Sequence, residues 1–439
     1  MCIRDSYRAD QETDEVYELY SRVVKQVWNV ASGQWEQAAN WDQGEVPDEV
    51  MSIHVNPVSF ATVSGPTLDT NLFSLDIGAT DTGVATLALQ PSVTLTVLNQ
   101  TAISSRGALA GSGHFDSRGG LVNDGDIGLD GMTIAAPTIE NNGMISGSGV
   151  IDALTIENNG VLSGSGTIDA QLTNSSNGEV RVAAGQQMHL SDTGSQSNAG
   201  RINVIGNATQ AAEIEFDGEL TNAVSTGNIN ARHAVMRFNG GLVNQGDVGI
   251  SFGTSDVYGD IDNQSKASIT VTGASSATFW DDLINDSNVT VSAGSTAVYF
   301  GRVSGSGKFR GSGTNFFEGD LHPGKSPGTM SFDGDVVLGT TSTTQIELGE
   351  TSDQLLVDGN ASIDGELNVE LLGDFTPDHG DQFPVITAGT RDGEFDAIDG
   401  IQVAADLTLA PIYDYAGHIG LMLIAAAPGD ANFDGIVDV

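Results

Sequence analysis

The sequence has little of what several protein classes need. Its single cysteine, Cys2, excludes internal disulfides, so stability must come from packing and hydrogen bonds. No run of 18 apolar residues occurs, and we therefore expect no membrane insertion. Lysine and arginine total 16 of 439 residues against 58 acids, and the formal charge of −42 excludes nucleic acid and anionic membrane surfaces as partners.

Aromatic residues and helix signals are also scarce. Aromatics make up 6% of the chain, which contains 56 glycines and many Asn, Ser, Thr and Asp residues. No long helical periodicity follows residue 30, so this composition favours glycine-rich β repeats. Before that point, residues 10–27 carry the pattern of a short amphipathic helix. The opening MCIRDS resembles a spurious leader of assembled sequence, so we treat residues 1–27 as an unreliable or helical leader and expect an incomplete N-terminus.

An internal repeat organises the middle of the chain. Residues 138–154, TIENNGMISGSGVIDAL, and residues 155–171, TIENNGVLSGSGTIDAQ, agree at 13 of 17 positions. In both copies one aliphatic residue recurs every six positions. These aliphatic residues are Ile139, Ile145 and Ile151 in the first copy, and Ile156, Leu162 and Ile168 in the second. The spacing predicts a three-faced coil with inward aliphatic side chains, in which every strand pairs with the coils before and after it.

The corners of this coil are predicted to be Asn-Asn-Gly and Gly-Ser-Gly, because these residues tolerate the positive φ of a tight bend. Related motifs extend the pattern to residues 107–129, 241–250 and 301–313. We therefore predict an all-β fold, a parallel β-helix or β-solenoid, over residues 61–320. A tryptophan-rich N-terminal cap is predicted at residues 28–60, and a further β-rich region at residues 321–425.

Two parts of the chain resemble known bacterial surface proteins. Residues 28–60 resemble the opening of large surface β-helix proteins through Gly33, Trp35, Ala39, Asn40 and Trp41. Residues 321–400 resemble the end of autotransporter passenger domains. That likeness rests on a Pro-Gly-x-Ser-Pro-Gly corner formed by Pro323, Gly324, Ser326, Pro327 and Gly328. The resemblance implies a right-handed parallel β-helix that is secreted or displayed at the cell surface.

The last residues predict a calcium site. In GDANFDGIVDV, oxygen donors alternate and Gly435 provides a sharp turn, as in the first part of an EF-hand loop. The predicted ligands are Asp430, Asn432, Asp434, Ile436 through its carbonyl, and Asp438. Position 12 of the loop would fall two residues beyond Val439, so we expect a fragment that binds Ca²⁺ weakly. The tail resembles half of a dockerin type I repeat of carbohydrate-degrading and planctomycete-like bacteria, and in a full-length protein this implies a cohesin-like partner.

No residue is assigned as catalytic, because each candidate motif also has a structural explanation. The best acid pair is Asp281 and Asp282, beside Trp280, which is a candidate for stacking on a sugar. Alternating strand geometry directs adjacent carboxylates to opposite sides, so an exposed corner of a coil is the stronger interpretation. Seven histidines lie singly along the chain without metal-ligand spacing: His54, His114, His189, His233, His322, His379 and His418.

Two functions remain open. The first is a non-catalytic, secreted surface or adhesion protein, a β-solenoid stalk attached through its calcium-binding tail to a cell-surface partner. The second is an extracellular carbohydrate-active lyase or hydrolase of the same fold, for which Trp280, Asp281 and Asp282 are the motivating residues. Rows of exposed Asn, Ser and Thr serve either function, as ladders between coils or as a polar surface for glycans.

Overall fold

The protein is built almost entirely from β-strands. The computed structural model describes residues 23–324, 327–415 and 417–427, and strands account for 62% of the chain. These ranges contain no α-helix, and a 3₁₀ turn occurs at Ala38–Asn40. Chain contacts divide the protein into two compact units, of which the first ends at Thr173 and the second begins at Asn174. Together they contain about 14 turns of a β-solenoid.

Strands β1 to β15 lie in the first unit, except that Asn174, the last residue of β15, belongs to the second. They are β1 (Val24–Val27), β2 (Ser32–Gln34), β3 (Met51–Val55), β4 (Ala61–Ser64), β5 (Thr70–Leu72), β6 (Ser74–Ile77), β7 (Ala85–Leu89), β8 (Thr94–Val97), β9 (Thr101–Ile103), β10 (Gly107–Gly111), β11 (His114–Ser117), β12 (Leu121–Asn123), β13 (Asp126–Asn141), β14 (Met144–Asn158) and β15 (Val161–Asn174).

Among its described residues, the second unit contains 29 strands. They are β16 (Glu179–Ala183), β17 (Gln187–Leu190), β18 (Gln196–Asn198), β19 (Arg201–Ile205), β20 (Ala212–Phe216), β21 (Leu220–Asn222), β22 (Asn228–Arg232), β23 (Ala234–Phe238), β24 (Leu242–Asn244), β25 (Asp247–Tyr258), β26 (Ile261–Asn263), β27 (Ser268–Phe279), β28 (Leu283–Asn285), β29 (Asn288–Val291), β30 (Thr296–Tyr299), β31 (Val303–Ser304), β32 (Lys308–Arg310), β33 (Thr314–Phe317), β34 (Asp320–Leu321), β35 (Thr329–Phe332), β36 (Asp335–Leu338), β37 (Thr343–Leu348), β38 (Gln354–Ile363), β39 (Glu366–Leu371), β40 (Gln382–Gly393), β41 (Ala397–Asp399), β42 (Gln402–Ala404), β43 (Leu407–Tyr413) and β44 (Ile419–Ala426).

Parallel stacking in three columns confirms the predicted solenoid. In the first unit, β14 pairs with β13 along all three faces of one coil, so residues 17 or 18 positions apart lie side by side. The six aliphatic residues of the sequence repeat are all buried, with exposures of 0–4%. Each residue fills the interior beside its counterpart in the next coil, which joins the apolar surface of many turns into one core. The handedness of the coil stays a prediction.

Parallel pairing reaches further than the predicted solenoid boundaries of 61 and 320. It begins in the first unit with β1 against β3 and continues in the second as far as β39 against β41. The helix predicted over residues 10–27 does not include Val24–Val27, which forms strand β1; residues 1–22 lie outside the described part. Pairing with β3 supplies the backbone hydrogen bonds that a helix would otherwise make internally.

Different structures close the two ends of the described chain. In the first coil, Trp41 packs edge-on against Trp28 and Trp35, with ring centroids 5.0 and 4.9 Å away. All three rings are at most 2% exposed and lie within residues 28–60, where the sequence predicts a cap. In the second unit the pairing becomes antiparallel, in the order β40, β44, β43 and β42. A change of strand direction ends a parallel stack because the next coil has no matching strand.

Fully buried asparagines form ladders inside both units. Up to the last asparagine of each ladder, the side-chain Nδ2 donates to the Oδ1 of the asparagine in the next coil, over 2.7–2.8 Å. The first unit contains the ladder Asn123, Asn141 and Asn158, and the second contains Asn174, Asn198, Asn222, Asn244, Asn263 and Asn285. These bonds satisfy polar groups that would be costly to bury alone. The described ladder ends where Gly305 faces Asn285, whose Nδ2 has no partner among the described residues.

The ladder corrects the explanation of the Asn-Asn-Gly corners. We expected these residues to supply positive φ, yet Asn141, Asn142 and Gly143 all lie outside the left-handed region. Asn141 is present because its side chain is a rung of the ladder. Glycine is required at 143 because a Cβ there would lie 2.0 Å from the carbonyl oxygen of Gly125 in the preceding coil. The corner is therefore selected by contacts between coils and not by its own backbone conformation.

Candidate functional site

The predicted calcium ligands lie outside the described residues. Asp430, Asn432, Asp434, Ile436 and Asp438 all follow residue 427, the last that the structure describes. The calcium site and its attachment role therefore stay predictions. The other candidates named from the sequence, Trp280 with its two neighbouring acids and the histidines, lie mainly in the second unit and can be compared with its geometry.

The acid pair Asp281 and Asp282 is divided between two neighbouring coils. Asp281 Oδ2 accepts the backbone N–H of Gly259 in the preceding coil, at 2.7 Å. Asp282 Oδ1 accepts the backbone N–H of Arg302 in the following coil at 2.8 Å, and its Oδ2 lies 3.2 Å from the guanidinium Nη2. Each carboxylate therefore ties one coil to another, in opposite directions. In a glycoside hydrolase two carboxyl groups lie on either side of one bond, whereas these two are engaged by donors of different coils.

Trp280 is the centre of an outward-facing surface aromatic stack, which we define as Tyr258, Trp280 and Phe300. The Trp280 ring lies 5.7 Å from Tyr258 and 4.6 Å from Phe300, nearly parallel to both. Its Nε1 donates to Asp256 Oδ1 at 3.0 Å. Although Trp280 is 39% exposed, both faces of its ring are covered by the neighbouring rings. Sugar stacking requires a free ring face, so Trp280 acts here as a contact between coils.

A cation completes one end of the surface aromatic stack. The Arg237 guanidinium carbon lies 4.2 Å from the centroid of the Tyr258 ring, and its Nε donates to Glu213 Oε1 at 3.0 Å. Burial is the largest single influence on the pKa of Arg237 and lowers it. The hydrogen bond and charge of Glu213, together with Tyr258, outweigh burial and hold this pKa above its usual value. This arginine is therefore fixed by a cation–π contact and an ion pair at once.

The structure brings one histidine together with two acids, a group that we call the His189 cluster: His189, Glu215 and Asp217. Their ligand atoms all lie within 4.8 Å of one another. His189 Nε2 is 2.9 Å from Asp217 Oδ2. Asn239 Nδ2 donates to Glu215 Oε1 at 2.9 Å and to Asp217 Oδ1 at 2.8 Å. Within the described residues this is the one group of three or more such side chains with metal-binding geometry.

Sequence reasoning missed this cluster because it examined spacing along the chain. His189 lies in β17 and Glu215 in β20, 26 positions later, and the parallel register places them side by side. Asp217 follows β20 directly. Alignment of successive coils by their inward residues, Met188 with Ile214 and Leu190 with Phe216, is the signal that would have found it. The histidines lie singly along the chain, but His189 has acidic neighbours across the coils.

A buried carboxylate in the C-terminal part of the second unit has a structural explanation. Asp353 is 2% exposed, and its two oxygens accept the backbone N–H groups of Gly328 at 2.5 Å and Glu347 at 2.9 Å. Burial raises the pKa of Asp353 to about 6, although the two N–H donors oppose that shift. Because both oxygens are engaged by the backbone, this group fixes two segments and does not face a substrate.

No model of a known protein family matches the chain, and a comparison with curated proteins found no match. Among the described residues, no helix is long and apolar enough to cross a membrane.

Proposed function

We propose that this protein is a non-catalytic, secreted cell-surface or adhesion protein. In this proposal the β-solenoid is a stalk, and the tail is a calcium-binding, dockerin-like attachment module. The observation that carries the proposal is that the candidate catalytic residues make structural contacts between coils. Asp281, Asp282 and Trp280 each contact a neighbouring coil, so side chains suited to sugar chemistry are already engaged in holding the stack together.

The repeated contacts between coils support the same proposal. Asparagine ladders and stacked rings give successive turns the same type of connection, and a chain of such connections suits a stalk under load better than a site that must change shape. The charge of −42 favours solubility outside the cell and repels unrelated acidic surfaces. A carbohydrate-active enzyme of the same fold is the alternative, and Trp280 beside two partly exposed acids is the observation that favours it.

A turnover assay separates these two functions. We expect the intact chain to release no new reducing or unsaturated ends from acidic or neutral polysaccharides, and the double substitution Asp281→Asn with Asp282→Asn to leave that result unchanged. An antibody against the chain should label unpermeabilised cells that produce the protein. Reproducible turnover that disappears in the double variant would establish the enzyme instead, and an exclusively internal antibody signal would exclude the surface function.

The calcium module can be tested by titration. We expect Ca²⁺ to bind the tail with a dissociation constant on the order of 1 mM, as in weak extracellular modules. The pair Asp430→Asn and Asp434→Asn should weaken this binding at least tenfold. The control pair Asp124→Asn and Asp126→Asn removes the same charge from exposed residues two positions apart in the first unit. Equal effects of both pairs in isothermal titration would show that the chain binds Ca²⁺ only through its general negative charge.

A further inference from the structure

We propose that the His189 cluster binds a divalent transition-metal ion, separately from any calcium bound by the tail. Its donor set is one imidazole nitrogen and two carboxylate groups, His189 with Glu215 and Asp217. Imidazole selects zinc, copper, nickel and iron over calcium and magnesium, which prefer oxygen ligands alone. Zn²⁺ is therefore the appropriate probe, with three protein ligands and a coordination position left for water.

Two paired strands position two of the three ligands, and the third directly follows one of these strands. His189 and Glu215 lie opposite each other on the paired strands β17 and β20, and Asp217 comes immediately after β20. All three side chains are half-buried, so they are reachable from solvent but supported by the coil wall. Ligand atoms within 4.8 Å of one another need only small side-chain rotations to lie about 2.0–2.2 Å from a common zinc ion. Ligands on rigid strands are better positioned than ligands on loops.

A neighbouring side chain orients the two carboxylates. Asn239, directly after β23 in the following coil, donates one hydrogen bond to Glu215 Oε1 and one to Asp217 Oδ1. Asp217 Oδ2 remains directed at His189 Nε2, 2.9 Å away. Outer-sphere hydrogen bonds of this kind fix the direction of metal-binding carboxylates. Asn239 is therefore a positioning residue and not a ligand.

The electrostatics of the surface provide an independent observation. In the described chain neither Glu215 nor Asp217 forms an ion pair with lysine or arginine. Arg237 is in register with Glu215, yet its guanidinium is held by Glu213 and by the Tyr258 ring. Two carboxylates thus lie close together without a permanent cation. A bound divalent ion would remove their mutual repulsion, which hydrogen bonds from Asn239 only reduce.

A bound ion would replace the direct contact between His189 Nε2 and Asp217 Oδ2, which lie 2.9 Å apart. The imidazole would bind the ion through the lone pair of Nε2 and carry its N–H proton on Nδ1. Both atoms of the present contact would then become ligands of the same ion.

The test uses the full chain after treatment with a chelator and titration with Zn²⁺. We expect one site stronger than the background, and at least tenfold weaker binding in each of His189→Gln, Glu215→Gln and Asp217→Asn. His54→Gln is the matched control, because His54 pairs with a single carboxylate, Asp76, at 3.0 Å and has no third ligand. Circular dichroism of each variant must match that of the wild type. The tail pair Asp430→Asn and Asp434→Asn should leave zinc binding unchanged.

A spectroscopic measurement distinguishes ligation from indirect effects. With Cu²⁺ in place of Zn²⁺, electron paramagnetic resonance should show hyperfine coupling to one imidazole nitrogen, and His189→Gln should remove it while His54→Gln does not. The proposal is overturned if the three cluster variants affect zinc binding no more than His54→Gln does, or if the nitrogen coupling survives in His189→Gln. Loss of zinc binding in the tail pair alone would also overturn it, since the tail would then be the site.

Discussion

Replacing Gly164 by alanine should be among the most damaging single changes to the first unit, with an expected loss of about 4 kcal/mol in its free energy of unfolding. Gly164 lies in β15 with φ at +117°, a conformation that L side chains rarely adopt. A Cβ at this position would also lie 1.9 Å from the carbonyl oxygen of Gly147 in the preceding coil. Backbone strain and overlap with the neighbouring coil therefore act together, and neither can relax without separating paired strands.

Two glycines of β13 provide graded controls for this prediction. Gly131 has φ at +78° but an open surrounding, so Gly131→Ala should cost only the backbone strain, about 1–2 kcal/mol. Gly128 has neither positive φ nor a close neighbour, and Gly128→Ala should change stability by no more than about 1 kcal/mol. Urea unfolding followed by circular dichroism measures all three variants. If Gly164→Ala lowers the free energy of unfolding no more than Gly131→Ala does, the close approach between coils is not the reason that residue 164 must be glycine.

The sequence was sufficient to predict the fold because the repeat is nearly exact where it matters. Ile139 and Ile156 occupy the same place in copies 17 residues apart, and the structure places them side by side in the interior. A six-residue spacing of aliphatic residues has a direct geometric meaning in a three-faced coil. Further along the chain the coils vary in length, and motif echoes such as residues 241–250 are weaker. The parallel register of β24 and β26 nevertheless continues the same architecture.

Ladders of asparagine were expected only as one alternative for rows of exposed residues, and their burial was not predicted, although a signal for it is present. An aliphatic residue, a variable residue and asparagine recur at the ends of short strands, for example in Leu121–Asn123, Leu220–Asn222 and Leu283–Asn285. Where asparagine stands in an Asn-Asn-Gly corner, it was interpreted as part of a bend because asparagine is common in turns. Burial of a polar side chain becomes favourable only when an identical side chain lies in the next coil, and that condition concerns two turns at once. The conformational propensity of asparagine within one turn therefore does not predict its burial.

The candidate sites were less predictable than the fold for a related reason. Trp280, Asp281 and Asp282 are adjacent in sequence, which made them look like a site, yet each contacts a different partner in other coils. His189 and Glu215 are far apart in sequence and lie side by side. In a solenoid, neighbours across coils matter more than neighbours along the chain. Their register depends on corner lengths, which a single sequence does not fix where the repeat is imperfect.

Substitution of Asn222 by aspartate is expected to destabilise the second unit by about 4 kcal/mol at neutral pH, because it buries an acceptor where a donor is needed. Asn222 is fully buried at the middle of its ladder. Its Nδ2 donates to Asn244 Oδ1 at 2.8 Å, to the carbonyl oxygen of Asp247 at 3.2 Å and to that of Gly227 at 3.3 Å. A carboxylate oxygen in this place would face three acceptors and could donate to none of them unless it were protonated.

The same substitution should introduce a pH dependence of defined sign. Burial among acceptors raises the pKa of the new carboxyl group in the folded state above its value of about 4 in the unfolded chain. The folded variant then binds more protons than the unfolded variant, so its stability relative to wild type falls as pH rises from 5 to 8. Asn230→Asp is the matched control, since Asn230 also donates to an asparagine, Asn203, at 2.9 Å but from the half-buried outer face of β22. Urea unfolding at several pH values measures both variants. A deficit in Asn222→Asp that matches Asn230→Asp at every pH would show that the buried ladder contributes no more to stability than an outer hydrogen bond does.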